Sequence, residues 1–348
     1  MPFEFAGRAY DGFAGDSLAS ALLANDVAIL GRSFKRRRPR GLLSLGWEEP
    51  NAVVDLGDGA ARAPNRMAPD VPLEPGLVSH PTRGWPSVAH DVGRVLDFWP
   101  APFAAGFYYK TFIGPGLPGR HDAWNRLWEP LIRRMAGQGR APEGADPDRY
   151  AHGELHVDVA VVGAGVAGLA AALASAERGE SVAIFDRDVL PGGRALGVVR
   201  QATIDGMPAD TWAAEAWSRL AAMPNVTARL RTTAFGLYDG GYLAAHEIPT
   251  GGAVAGRIWH VRARRIVLAT GALERPMAFP GNDRPGVMLA GAVEAAVARY
   301  AIRPGRRAAI FANHAGTAGL EQALAAAGVE VVARIGGDET VTGTLGPR

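Results

Sequence analysis

The sequence of 348 residues contains no cysteine. Without thiolates the chain cannot ligate an iron–sulfur cluster through cysteine, carry a redox dithiol or form a disulfide. It also has no uninterrupted apolar run of about 18 residues, the length that crosses a membrane. The first residues, Met1–Arg8, carry an early acid and lack the apolar core of a signal peptide. These absences predict a soluble, cytoplasmic protein without a membrane partner.

The chain has little net charge, +2, although its isoelectric point is near 9.1. Positive charge is concentrated in residues 35–40, a run that is more often a solvated loop than a site for phosphate or an acidic partner. No nucleic-acid-binding motif accompanies it, so we expect no nucleic-acid partner. The eight histidines are scattered, without a nucleophile or a set of metal ligands. The sequence therefore assigns no catalytic residue and no metal site.

The most informative segment is a glycine-rich turn between a β-branched stretch, Val157–Val162, and an alanine-rich stretch. Its glycines have the spacing of a dinucleotide-binding fingerprint. In that fingerprint Gly163 permits the tight turn, Gly165 lets the backbone approach a pyrophosphate, and Gly168 lets the helix pack closely on the strand. The N–H groups and positive dipole of the helix N-terminus then attract the pyrophosphate.

A second buried strand, Ser181–Phe185, completes a βαβ unit, and Asp186 follows it. A carboxylate at this position meets a hydroxyl of the adenosine ribose. Arg187 would suit a 2′-phosphate, but the carboxylate before it favours the unphosphorylated ribose. A further strand is predicted over Arg262–Gly271. The small residues at its end would let the backbone lie against the dinucleotide. The predicted cofactor-binding residues are Gly163, Ala164, Gly165, Val166, Ala167, Gly168, Asp186, Arg187, Arg194, Thr270 and Gly271.

The rest of the chain is less regular. Residues 1 to about 60 are predicted to form a small α+β module with a helix over Ser17–Asn25. The proline-rich Ala60–Pro86 is predicted to be an extended connector. Apolar residues of Trp124–Ile132 have helical spacing, which is typical of a packed helix. Val226–Thr233 is predicted to be one short strand.

A second, weaker nucleotide-binding pattern begins at Arg307–Gly319 and continues into a strand over Val329–Arg334. Asn313 and His314 stand where a normal turn would have glycine, so we expect a βαβ shape that has lost its ligand. Two strands and one helix cannot form a complete sheet with both faces covered by helices. We therefore expect this unit to be incomplete, and the chain to be a fragment of a longer one or to be completed by a partner.

Several unusual segments accompany the fingerprint: Gly31–Gly41, Glu48–Val54, Trp85–Gly93, Gly106–Phe112 and Trp128–Arg134. Together they resemble the alpha subunit of heterotetrameric sarcosine oxidase over nearly the whole chain. The resemblance implies a ferredoxin-like β-grasp module without cluster ligands, followed by a Rossmann-type FAD/NAD(P)-binding fold like that of disulfide reductases, which would hold NAD. The matching positions are Gly163, Ala164, Gly165, Gly168 and Asp186, whereas Arg187 departs from the expected acid.

The resemblance also implies a function. A chain of this type would support oxidative demethylation of sarcosine by a flavin-bearing beta-type subunit with further partners. It would be part of an oxidoreductase that acts on CH–NH groups, and it would be inactive alone. Two alternatives remain open: an FAD-binding component of an opine or amino-acid dehydrogenase complex, and a non-catalytic truncated fragment. The expected domains are a β-grasp module at 1–90, a connecting helical and aromatic segment at 91–150, a dinucleotide-binding domain at 151–300 and an incomplete second nucleotide-binding subdomain at 301–348.

Overall fold

The computed structural model describes residues 1–34, 36–98, 129–137, 139, 142, 144–198, 202–251, 253–313 and 318–336. The chain divides into two compact units. The first comprises Met1–Asp146 and Arg275–Ala292, and the second comprises Pro147–Glu274 and Val293–Arg348. The predicted helix over Trp124–Ile132 lies largely outside the described residues, which resume at Glu129.

The first unit contains a five-stranded mixed sheet in the order β2-β1-β7-β5-β6 and a separate antiparallel pair, β3 and β4. β1 runs parallel to β7 and antiparallel to β2, and β5 runs antiparallel to both β6 and β7. The strands are β1 (Pro2–Phe5), β2 (Arg8–Asp11), β3 (Gly31–Arg32), β4 (Pro39–Arg40), β5 (Val53–Leu56), β6 (Ala63–Met67) and β7 (Val78–Pro81). The α-helices that lie wholly within the described residues of this unit are α1 (Leu18–Ala24) and α2 (Glu129–Ala136).

The helix predicted over Ser17–Asn25 is present as α1, and Ser17 caps it. The side chain of Ser17 accepts the N–H of Ser20, and the Ser20 hydroxyl accepts the N–H of Ser17 in return. Leu18 and Leu22 on this helix are fully buried, as is Phe5 on β1. Burial around most of this short helix and at alternate positions of β1 thus builds the core of the first unit.

The prediction of an extended connector over Ala60–Pro86 is wrong. Two of its segments are strands, and β7 lies in the middle of the sheet between β1 and β5. These strands are short and contain proline, so they lack the alternating pattern that reveals a strand in sequence. Pairing with distant strands, rather than local pattern, makes them β structure.

Glu49 organises the turn that precedes β5. Its carboxylate is 1% exposed and accepts four backbone N–H groups. Oε2 accepts from Leu43 at 2.6 Å and Ser44 at 2.7 Å, and Oε1 accepts from Asn51 at 2.6 Å and Ala52 at 3.0 Å. Burial raises the pKa of Glu49, and the four N–H donors oppose that rise. One buried anion therefore holds both arms of this turn together.

Part of the basic run is also folded into this unit rather than solvated. Arg37 is buried, with its Nε 3.8 Å from Oδ2 of Asp91. Arg40 forms an ion pair with Asp283, to which Arg38 also lies close at 3.5 Å. These contacts correct the expectation of a solvated loop for Arg37 and Arg40. Arg36 and Arg38 are exposed, as a solvated loop would have them, and Lys35 lies outside the described residues.

The second unit contains a six-stranded sheet in the order β12-β9-β8-β15-β14-β13. Its strands are β8 (Tyr150–Val162), β9 (Val182–Phe185), β12 (Val226–Arg229), β13 (Thr232–Tyr238), β14 (Tyr242–Glu247) and β15 (Gly256–Leu268). A small hairpin is formed by β10 (Thr203–Ile204) and β11 (Met207–Pro208). The first four strands of the order are parallel, and the last two are antiparallel additions.

Helices cover one face of this sheet. They are α3 (Val166–Glu177) and α4 (Ala209–Ala222), and they pack with β8 and β9 around Leu169, Ile184 and Leu220. On the other face Phe185, Trp259 and Val261 form a second buried cluster. The single strand predicted over Val226–Thr233 is divided in two, because the chain leaves β12 beside β9 and turns into β13 beside β14.

The other α-helices and strands among the described residues are α5 (Ala290–Ala298), β16 (Arg307–Phe311), α6 (Ala318–Ala326) and β17 (Glu330–Ile335). β16 and β17 are parallel and joined through α6, so the expected βαβ shape is present. His314, predicted to mark a lost glycine turn, lies outside the described residues. The predicted fold class, a ferredoxin-like unit followed by a Rossmann-type unit, is confirmed. No helix within the described ranges has the length and apolar character needed to cross a membrane.

Candidate dinucleotide-binding site

The turn between β8 and α3 depends on Gly163 and Gly168. Gly163 has a φ of +105°, and a Cβ on it would overlap the carbonyl oxygen of Ala269 just after β15. A Cβ on Gly168 would overlap the carbonyl oxygen of Gly163. Only glycine combines the required backbone freedom with the absence of a side chain. The fold therefore requires glycine at 163 and 168 whether or not a ligand binds.

Gly165 is different, because the fold leaves room for a side chain there. Its φ of −72° and ψ of 176° suit any residue. An ideal Cβ at Gly165 would meet no protein atom within 4 Å. Gly165 is the N-cap of α3, and no side chain caps this helix. This is the arrangement that lets a pyrophosphate approach the backbone N–H groups at a helix N-terminus.

Asp186 lies at the end of β9, beside the turn. Its Oδ2 accepts the N–H of Ala164 at 2.5 Å, and its Oδ1 accepts the N–H of Asp188 at 2.8 Å. Burial raises the pKa of Asp186 above its ordinary value, against the lowering effect of these two donors. Each carboxylate oxygen has a second lone pair. Asp186 can therefore accept a ribose hydroxyl while it stays bonded to the turn.

The segment after β9, residues 186–198, is called the β9 loop below. It folds back to the turn: Gly192 donates its N–H to the carbonyl of Ala164 at 2.8 Å and forms a bridge with Gly165. A Cβ on Gly193 would lie 3.2 Å from the Cα of Gly165. Gly192 and Gly193 both have positive φ, +123° and +55°. Sequence reasoning missed this close approach, although two adjacent glycines after Pro191 were a visible signal.

The β9 loop is also tied to the segment after α5. Arg299 donates from Nη1 to Oδ2 of Asp188 and from Nη2 to Oδ1, both at 2.7 Å. The pair is largely shielded, with side-chain exposures of 18% for Arg299 and 28% for Asp188. Burial would raise the pKa of Asp188, but its bonds to Arg299 outweigh that effect and the pKa falls below its ordinary value. Neither residue was predicted from the sequence.

The other predicted residues surround this arrangement less tightly. Arg194, on the β9 loop, is 71% exposed and lies 3.9 Å from Glu294 of α5. Burial raises the pKa of Glu294, while Arg194 lowers it. Thr270 and Gly271 are exposed, but the N of Thr270 would lie only 3.5 Å from a Cβ on Gly163. The remaining three are Ala167, which is exposed, and Val166 and Arg187, which are half-buried.

A wide cleft of about 720 Å³ lies elsewhere on this unit. It is lined by His156, Asp158, Ser181 and Arg262 among others, at the level of the sheet where β9 begins rather than where it ends. Ligands of open α/β sheets bind outside the carboxyl ends of the parallel strands, where the glycine turn is. We therefore place the candidate site at the turn and not in this cleft.

Comparison with known proteins gives a family match for each unit. Residues 157–340 match the family model described as pyridine nucleotide-disulphide oxidoreductase. Residues 1–83 match the model described as 2Fe-2S iron-sulfur cluster binding domain. Such clusters are held by cysteine thiolates, and the chain has none. In the part of the chain that the structure describes, no group of three or more His, Asp or Glu could hold a metal ion either. The residues do not fit a cluster.

Curated relatives extend these matches. The chain is 46% identical over 340 residues to the alpha subunit of sarcosine oxidase from Rhizobium meliloti, a match that covers 96% of this chain and 34% of that protein. It is 35% identical over 144 residues to an opine oxidase subunit from Agrobacterium tumefaciens, covering 40% of this chain and 29% of that protein. The chain thus spans about a third of the length of the sarcosine oxidase subunit it matches.

Among solved structures, L-proline dehydrogenase from P. horikoshii has a similar fold, with a TM-score of 0.63 at 20% identity over 99% of this chain and 55% of that chain. At that identity the likeness concerns the fold alone. The predicted resemblance to sarcosine oxidase alpha subunits is confirmed at the level of sequence. With more than half of its length matched by the family model, the chain belongs to the pyridine nucleotide-disulphide oxidoreductase family.

Proposed function

We propose that this chain holds NAD on the turn formed by Gly163–Gly168. The observation that carries the proposal is the contrast among the three glycines. Two are required by the fold, whereas a Cβ at Gly165 would meet no protein atom within 4 Å, and Gly165 lies at a helix N-terminus that no side chain caps. A glycine that the fold does not need is explained by the approach of a ligand's pyrophosphate.

Asp186 would accept the hydroxyls of the adenosine ribose, and its negative charge opposes a 2′-phosphate. Val166, Ala167 and Gly168 would offer their backbone N–H groups to the pyrophosphate, while the N–H of Ala164 stays bonded to Asp186 beside it. Arg187 and Arg194 would lie near the phosphates, and Thr270 and Gly271 would border the dinucleotide where β15 ends. When bound, a nicotinamide dinucleotide accepts or donates a hydride; the residues of this chain bind and orient it.

At the level of the complex, we propose a segment of an alpha-type subunit of a sarcosine-oxidase-like amine oxidoreductase. The 46% identity to a sarcosine oxidase alpha subunit supports this role. The chain would act in the cytoplasm with a flavin-bearing beta-type subunit and with other subunits, which would carry out the oxidation of the CH–NH group of sarcosine.

A second candidate is an FAD-binding component of an opine or amino-acid dehydrogenase complex. The similarity to an opine oxidase subunit favours it, since that match is 35% identical over 144 residues. FAD and NAD share the ADP portion that the turn and Asp186 would contact, so the turn itself suits both. A third candidate is a non-catalytic fragment that binds neither.

These candidates differ in what the purified chain releases on denaturation. Mass spectrometry with an absorbance spectrum of the released small molecules identifies NAD or FAD directly, since only FAD absorbs in the visible range. Release of NAD supports the proposal, and release of FAD supports the second candidate in its place. If nothing is released, and neither dinucleotide binds when it is added back, the dinucleotide-binding proposal is wrong.

A further inference from the structure

We propose that Arg299 is a positioning residue that fixes the carboxylate of Asp186 for the adenosine ribose hydroxyls. This inference deepens the proposed function and rests on it. Arg299 lies 111 positions after Asp188 in the sequence, and no part of the fingerprint points to it. The fold nevertheless connects it to the glycine turn through two intervening residues, Asp188 and Asp186.

The contacts form one continuous chain. Arg299 holds Asp188 through two parallel hydrogen bonds of 2.7 Å, the planar geometry in which a guanidinium fixes both the position and the orientation of a carboxylate. The N–H of Asp188 donates to Oδ1 of Asp186 at 2.8 Å, and Oδ2 of Asp186 accepts from Ala164. Arg299 therefore fixes the residue that supplies one of the two N–H groups orienting Asp186.

Backbone contacts also brace this part of the β9 loop. The N–H of Arg231 donates to the carbonyl of Asp188 at 2.9 Å, and the N–H of Thr232 donates to the carbonyl of Asp186 at 2.7 Å. These bonds hold the backbone of the loop against the start of β13. The side chain of Asp188 accepts from Arg299 and, within the loop, from the N–H of Val189 at 2.7 Å. Arg299 is the contact that reaches it from outside the loop, so removal of the guanidinium should loosen the loop without dismantling the sheet.

Charge supplies a second role for Arg299. Asp186 and Asp188 are negative neighbours, and each lies partly out of water. Burial lowers the pKa of Arg299, but the bonds and charge of Asp188, with further contributions from Tyr300 and Asp186, raise it above its ordinary value. The guanidinium also lies 5.2 Å over the ring of Tyr300. One fixed positive charge thus offsets two carboxylates where an anionic dinucleotide is proposed to approach.

Helix α5 positions the guanidinium of Arg299. The N–H of Arg299 donates to the carbonyl of Ala295 at 2.9 Å, which continues the helix by one residue. Ala295 also packs against Gly197, where a Cβ would come within 3.1 Å of the Ala295 side chain. Ala295 and Arg299, four residues apart, therefore contact the β9 loop near both of its ends, at Gly197 and at Asp188.

The test is a thermodynamic cycle between ligand and protein. Nucleotide-free chain is titrated calorimetrically with ADP, which is common to NAD and FAD, and with 2′-deoxy-ADP, for the wild type, Arg299→Met and Arg299→Lys. If Asp186 is positioned on the ribose, loss of the 2′-hydroxyl weakens wild-type binding by about tenfold. In Arg299→Met the same deletion should weaken binding by less than about threefold, since Asp186 no longer holds its place. Arg299→Lys, which keeps the charge without the planar fork, should fall between them.

Asp188→Asn provides a second route to the same result if Arg299→Met folds poorly, because it keeps the shape of Asp188 and removes its charge. Arg219→Met is the matched control, since Arg219 forms an exposed ion pair with Glu177 that joins α4 to α3 rather than to the β9 loop. The control should keep the full wild-type discrimination between the two ligands.

A purely structural role would weaken both ligands equally and leave their ratio unchanged. Retention of the wild-type ratio in both Arg299→Met and Asp188→Asn overturns this inference and leaves the proposed function intact. Failure of the wild type to bind ADP at all overturns the proposed function and this inference with it.

Discussion

Ala164 donates its backbone N–H to Oδ2 of Asp186 across 2.5 Å, so the acid that ends β9 is bonded directly to the glycine turn that ends β8. Parallel neighbours in the sheet bring the two together, since β8 pairs with β9 up to Val162 and Phe185. The turn and the proposed ribose-binding acid are therefore one structural element. A substitution in the turn should therefore disturb Asp186, and a substitution of Asp186 should disturb the turn.

Asp186→Asn tests this element. An asparagine has only one oxygen that can accept, so its amide nitrogen would face one of the two N–H donors. The negative charge that attracts ribose hydroxyls would also be lost. A hydrogen bond to a charged group contributes about 1.5–3 kcal/mol, so we expect NAD to bind about 10- to 150-fold more weakly. Calorimetric titration measures this change. Asp239→Asn, at an exposed turn, is the control, and equal affinities of the two variants would contradict the assignment.

The pH dependence of NAD binding provides a separate test. Burial raises the pKa of Asp186 above the ordinary 3.8, and the ionised form is the one that accepts from both N–H groups and the ribose. Affinity should therefore be highest at neutral pH and fall as the pH drops through the raised pKa, at a higher pH than an exposed aspartate would allow. Titrations at several pH values, with melting curves alongside, measure this fall. Asp186→Asn should remove the pH dependence of NAD affinity. If the affinity of the wild type did not change over this pH range, Asp186 would not be the residue that binds the ribose.

Substitutions at two glycines of the turn should differ in how much they lower the free energy of unfolding. Gly168→Ala forces a Cβ onto the carbonyl of Gly163, and overpacking of this kind costs about 1–3 kcal/mol. Gly165→Ala introduces no such overlap and should cost under about 1 kcal/mol, the scale of replacing glycine by alanine at an N-cap. Chemical denaturation measures both. Equal losses of unfolding free energy in the two variants would contradict the steric distinction.

Sequence reasoning located the turn and Asp186 because both are local signals: glycine spacing, a β-branched strand and an acid after the next strand. It missed Asp188 and Arg299, since an ion pair between residues so far apart in sequence exists only after folding. It also missed β7, whose Val78–Pro81 has no alternating pattern and becomes a strand by pairing with β1 and β5. Local chemistry was thus predictable, whereas long-range pairing was not.

Glu49→Gln addresses the first unit. Each oxygen of the Glu49 carboxylate accepts two N–H groups, so a glutamine would turn its NH₂ group towards two donors. Leaving buried donors without an acceptor costs about 1–3 kcal/mol each, and we expect the free energy of unfolding of this unit to fall by about 2–5 kcal/mol. Denaturation followed by tryptophan fluorescence and circular dichroism measures the loss.

Glu74→Gln, at an exposed position of the same unit, is the matched control and should stay within about 0.5 kcal/mol of the wild type. If Glu49→Gln were as stable as this control, the carboxylate would not be what holds the turn before β5.

The measurement that tests the central claim most directly is calorimetric titration of NAD into nucleotide-free wild type and Gly165→Trp side by side. The backbone at Gly165 accepts a side chain, because a Cβ there meets no protein atom within 4 Å, and a tryptophan at this position would occupy the space that a dinucleotide on the turn needs. Gly305→Trp, at an exposed loop position, is the control. We expect one NAD per chain for the wild type and the control, with no binding by a normally folded Gly165→Trp. Undiminished binding by Gly165→Trp would contradict the assignment of the dinucleotide to this turn.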